Sequence, residues 1–114
     1  MATLTVQDLN HVGLSPSFVA VAAGGDQFPN DGHTFIYVKN VNVATRDVTI
    51  DSQSLCNQGV DHNIIVTVPV TTGEKLIGPF PPGRFNNASA NVQITYESEV
   101  DVTIAVVRLE PNPA

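Results

Sequence analysis

Apolar and polar residues alternate with period two along several stretches of this chain. Val48 and Ile50 alternate with Asp47, Thr49 and Asp51, and Ile64, Val66 and Val68 oppose Ile65 and Thr67. Val92, Ile94 and Tyr96 alternate with Asn91, Gln93, Thr95 and Glu97; Val100, Val102, Ile104 and Val106 alternate with Asp101, Thr103 and Ala105. Phe35, Tyr37 and Lys39 alternate with Ile36 and Val38. Successive strand residues project to opposite faces, so this pattern predicts strands with one dry face. Shorter strand candidates run from Phe18 to Ala22, from Glu74 to Gly78 and, at an edge, near Leu4 to Val6. Thr5-Val6-Gln7-Asp8 reads equally as a capped helical turn or as that edge strand.

Turn residues punctuate these stretches: Gly24-Gly25-Asp26, Asn30-Asp31-Gly32 and Asn57-Gln58-Gly59. Thr72-Gly73-Glu74 reads as a hairpin turn, and Glu97-Ser98-Glu99 predicts a terminal hairpin of the last two long strands. Turns at a spacing of about 8–12 residues point to a sandwich. The expected fold is all-β: one antiparallel β-sandwich over residues 1–110, jelly-roll-like and with little helix, then a mobile tail at 111–114. Only 14% of the 114 residues are charged and β-branched residues abound, which suits pleated sheets with uncharged polar surfaces.

Charge and cysteine usage narrow the function. A net charge of −6 without a basic cluster disfavours a nucleic-acid partner. No stretch approaches the roughly 18 apolar residues of a membrane-spanning helix. Cys56 stands alone, so the fold must hold without an internal disulfide, and no secretory signal is visible at the start. Folding in a reducing cytosol is expected.

Catalytic signatures are absent. Cys56 and His62 are the one pairing that hints at a nucleophile, but Asp61 adjoins His62 and would face the other way on a strand. His11, His33 and His62 lack metal-ligand spacing. Asp26, Asn30 and Asp31 do not match a calcium loop and read as turn chemistry. Asn87-Ala88-Ser89 matches a glycosylation sequon whose use is not expected without a signal. The expectation is a protein that is not an enzyme and needs no cofactor or metal.

The run KLIGPFPPGRFNN, Lys75 to Asn87, holds three prolines, two glycines and two phenylalanines between strand-like segments. It reads as a shaped loop rather than a strand or helix. Phe80 and Phe85 need either the core or a neighbouring chain to bury them. Phe80, Pro81, Pro82, Arg84 and Phe85 are the leading candidate contacts, because aromatic residues and arginine are enriched at interfaces. Phe28 and Pro29 form a second candidate patch.

Three segments, FPNDGHTFIYVKN, IDSQSLCNQGVDHNIIVTVP and IGPFPPGRFNN, resemble small structural proteins of tailed bacteriophages encoded beside the major capsid gene. The resemblance spans roughly residues 15 to 108. It implies a head decoration or cement protein, a sandwich or jelly roll that binds the outside of the virion capsid. It further implies a homo-oligomer, commonly a trimer, with the major capsid protein as partner. The alternative is a carbohydrate- or receptor-binding sandwich module of a virion; the lack of Trp argues against it.

Overall fold

The computed structural model describes residues 1–53 and 63–109. Cys56, Asp61, His62, the expected turn at Asn57 to Gly59 and the tail at 111–114 lie outside the described residues. The elements are β1 (Ala2–Thr3), β2 (Val6–Leu9), β3 (Val19–Ala20), β4 (Asp26–Pro29), β5 (Thr34–Asn40), β6 (Arg46–Ile50), β7 (Ile64–Val68), β8 (Gly73–Ile77), α1 (Pro82–Phe85), β9 (Asn91–Tyr96) and β10 (Val102–Leu109). Val6 to Asp8 of that stretch are thus strand, with Val6 and Asp8 lying on the same side as Val106 and Arg108 of β10. Helix is confined among the described residues to α1, one turn inside the proline-rich run read from sequence as a loop.

One sheet has the order β1-β4-β9-β6-β7 and the other β2-β10-β5-β8, with β3 also paired to β10. The antiparallel pairs β3·β10, β4·β9, β5·β8 and β6·β7 nest inside one another. Lateral pairing of β5 with β10 and of β6 with β9 closes each sheet. This is a jelly roll, a long folded ribbon wrapped into two sheets. The N-terminal segment adds two short parallel pairings, β1 on β4 and β2 on β10, to the otherwise antiparallel sandwich.

Two expected hairpins are corrected. β7 and β8 lie in different sheets, as do β9 and β10, so the turns at 69–72 and 97–101 arch across the sandwich. Stacked sheets lie about 10 Å apart, twice the spacing of paired strands. Left-handed residues shape both arches: Thr71 (φ 41°), Thr72 (φ 59°) and Asp101 (φ 62°). Alternation marks a dry face but not the sheet to which a strand belongs.

The core is the interior of the sandwich. Val48, Ile50, Val68, Val92, Ile94 and Phe28 meet Ile36, Val38, Ile77, Val102, Ile104 and Val106. Val100 departs from its expected strand face and lies exposed in the turn before β10. The loops sort to two ends. Residues 30–33, 51–53, 63 and 78–90 gather at one end, the long-loop end. Residues 21–25, 41–45, 69–72 and 97–101 gather at the other, the short-loop end.

Candidate interaction site

The long-loop end is built on three rings. As the chain leaves β8, Gly78 (φ 132°) passes so close to Phe35 that an added Cβ would sit 2.8 Å from the Phe35 Cβ. The next peptide, Gly78–Pro79, is cis. Phe80 then turns inward to 1% exposure, its ring 5.9 Å from that of Phe28 and 5.7 Å from that of Phe85. Pro82 starts α1, where a missing N–H costs nothing, and the amides of Arg84 and Phe85 both donate to Pro81 O.

An amide pair, Asn30 buried and Asn86 half-buried, fixes this loop to its neighbour. Asn30 Nδ2 donates to Phe80 O (2.9 Å) and to Asn86 Oδ1 (2.8 Å), while Asn86 Nδ2 donates to Asn30 O (2.8 Å). The Gly32 amide donates to Asn30 Oδ1, and Gln53 N donates to Arg84 O. Asn87, the sequon residue, accepts at Oδ1 from the amides of Ser89 and Asn91.

The expected contact set therefore divides. Phe28, Phe80 and Phe85 are corrected to core residues: their own sandwich buries them, so none is open to a partner. Pro81, Pro82 and Arg84 are exposed at the tip, and Pro29 is exposed at the end of β4. The Arg84 guanidinium lies 4.7 Å from the Phe85 ring centre.

The residues weighed for metal chemistry go to separate tasks. Asp26 is buried on β4 rather than held in a turn, and it accepts from Tyr96 OH (2.8 Å) and the Ala22 amide. Asp31 accepts from Arg108 Nε (2.6 Å) and from the His33 amide. That arginine hydrogen bond is the main influence holding the Asp31 carboxyl below its ordinary range, against a smaller opposing effect of burial. No group of three His, Cys, Asp or Glu side chains converges among the described residues. Tyr96 is pushed far above the ordinary tyrosine range, first by burial and then by its bond to Asp26.

The sheet faces differ as well. Tyr37 packs edge-on against Phe18 at 5.1 Å on the outer face of the second sheet, and Lys39 Nζ lies 4.2 Å from the Phe18 ring centre. With Tyr96 sunk into the sandwich and Tyr37 stacked on Phe18, little free aromatic surface is left for a sugar ring. Sequence reasoning missed the exposed valines of the short-loop end, Val41, Val43, Val70 and Val100. Their signal was position: each stands beside turn residues such as Asn42, Thr71 and Asp101 instead of within a strand.

No family model, curated protein or solved structure matches this chain.

Proposed function

We propose that this chain is a structural protein of a tailed-phage virion, a decoration or cement protein that binds the outer capsid surface and stabilises it. The observation that carries the reading is the tip Pro81-Pro82-Gly83-Arg84, exposed on a base of buried rings and clamped amides. A loop ordered before docking loses little conformational entropy on binding. Prolines add rigid apolar surface, and arginine is among the residues enriched at protein interfaces. The jelly roll supplies a stiff frame, and the resemblance of its segments to phage structural proteins names the setting. Oligomerisation, as a trimer in this reading, multiplies modest contacts into firm attachment.

The test is uptake by shells assembled from the major capsid protein encoded beside it, purified without this chain. The wild-type chain is expected to saturate them and raise their disruption temperature. Changing Arg84→Glu together with Pro81→Ser should weaken uptake about tenfold with an unchanged thermal midpoint of the free protein. A chain that stays monomeric in sedimentation and leaves the shells bare overturns the reading.

A further inference from the structure

The short-loop end carries apolar surface that the core does not use. Val43 is 86% exposed, Val41 63%, Val100 50% and Val70 44%. Hydrogen bonds stitch their three loops together. The Val41 amide donates to Asp101 O (3.0 Å), Asn42 Nδ2 donates to Asp101 Oδ2 (2.8 Å), and the Thr71 amide donates to Asn42 O (2.8 Å). Beneath them Asn40 is fully buried and donates to Ala44 O and Pro69 O. These valines are thus held outward by ordered backbone. Grouped apolar surface of this kind marks an interaction site.

Charge says what covers it. The loops at 41–45, 69–72 and 97–101 contain Glu97, Glu99 and Asp101 and no lysine or arginine. Of the nearest cations in the chain, Lys39 lies over the Phe18 ring, and Arg46 has its Nε buried without a hydrogen-bond partner. An apolar centre with an acidic rim complements an apolar surface rimmed by lysine or arginine.

We infer that the short-loop end is a second docking surface, opposite the proline tip, and that its occupant is a basic-rimmed apolar patch on the capsid shell. The inference rests on the decoration reading and deepens it. A chain that docks at both ends spans a boundary between two bodies, which cementing requires.

Shell uptake separates the outcomes. The Val43→Ser, Val100→Ser double variant should bind about tenfold more weakly than wild type. Ile65→Ser, which removes an equally exposed apolar group from the outer face of the first sheet, should bind as wild type does. Glu99→Lys should weaken uptake several-fold at low salt and less at high salt, where rim charges are screened. Circular dichroism and an unchanged thermal midpoint establish that each variant folds. If wild type binds and the valine variant binds equally well, the second surface is refuted while the decoration reading stands. An equal loss in Ile65→Ser, or tighter binding by Glu99→Lys, also refutes it. Wild type failing to bind removes the decoration reading and this inference with it.

Discussion

At the long-loop end Asn30 donates to Phe80 O and Asn86 Oδ1 and accepts from the Gly32 amide. At the short-loop end Asn40 donates to Ala44 O and Pro69 O and accepts from the Asn42 amide. Asn30 precedes β5 and Asn40 ends it, each buried and each closing a turn two residues ahead while tying down a second loop. What differs is the material beneath. Asn30 ties its loops over three packed rings, whereas Asn40 ties short arches with no ring among them. One end therefore hides its large apolar groups and shows prolines and an arginine; the other leaves its valines outside. The same polar device can fasten a loop, but only packing decides whether the loop's apolar side chains turn inward.

Removing a ring tests that difference most severely. Phe80→Ala should cost about 3–5 kcal/mol, read by chemical denaturation, since it deletes a fully buried ring that touches two others. No single change at the short-loop end should match it. Asn30→Ala and Asn40→Ala come next. Asn30→Ala strands the buried Phe80 O and Asn40→Ala the part-buried Ala44 O and Pro69 O, so each should cost about 1–3 kcal/mol. A near-neutral Asn40→Ala would mean that the short arches hold themselves and that the likeness of the two clamps is superficial.

How far these ends were legible from sequence follows from what periodicity encodes. Alternation located β5, β6, β7, β9 and β10, because one dry face per strand writes period two directly into the residues. It could not separate arches from hairpins, since both sheets turn their dry faces to the same interior. The ring-bearing loop was visible as a loop, yet whether Phe80 and Phe85 filled their own core or a neighbour's depended on contacts with Phe28. That residue is more than 50 positions away. Asn30 and Asn86 meet only after the chain has wrapped. The valines at 41 and 43 were hidden for a simpler reason: spaced by two, they look like a strand that continues past Asn40.

Tyr96 offers a smaller effect with its own signature, on the short-loop side of the core. Tyr96→Phe leaves Asp26 with the Ala22 amide as its remaining hydrogen-bond donor and should cost about 1–2 kcal/mol at neutral pH. The pH dependence is the sharper readout. A tyrosine whose folded pKa lies far above its unfolded value contributes stability below about pH 10 and loses it as pH rises further, because only the unfolded chain then ionises. Wild type should lose stability above pH 10 more steeply than Tyr96→Phe. Parallel slopes in denaturant titrations would mean that the hydroxyl is not sequestered and that this end of the core is wetter than its burial implies.

The smallest expected effect lies at the rim of the long-loop end. Arg108 on β10 joins Asp31, in the turn that Asn30 closes, to Asp8 on β2, so one ion network spans the last strand, the edge strand beside it in the second sheet and the clamped loop. Asp31→Asn keeps the side-chain oxygen that accepts the His33 amide and replaces Oδ2, the charged acceptor facing Arg108 Nε, with a neutral NH2 group. Both partners are partly exposed, so solvent screens the pair and the loss at pH 7 should stay below about 1 kcal/mol. The sign is fixed by the direction of the shift. A carboxyl whose folded pKa is depressed contributes stability above its unfolded value, near pH 4, and loses that contribution as pH falls through the folded value. The gap between wild type and Asp31→Asn should therefore be widest near neutrality, narrow below pH 4 and shrink in high salt. A gap that persists at pH 2 would assign the role of Asp31 to the acceptor it offers Arg108 rather than to its charge, leaving Asn30 and the rings as the true anchors of this end.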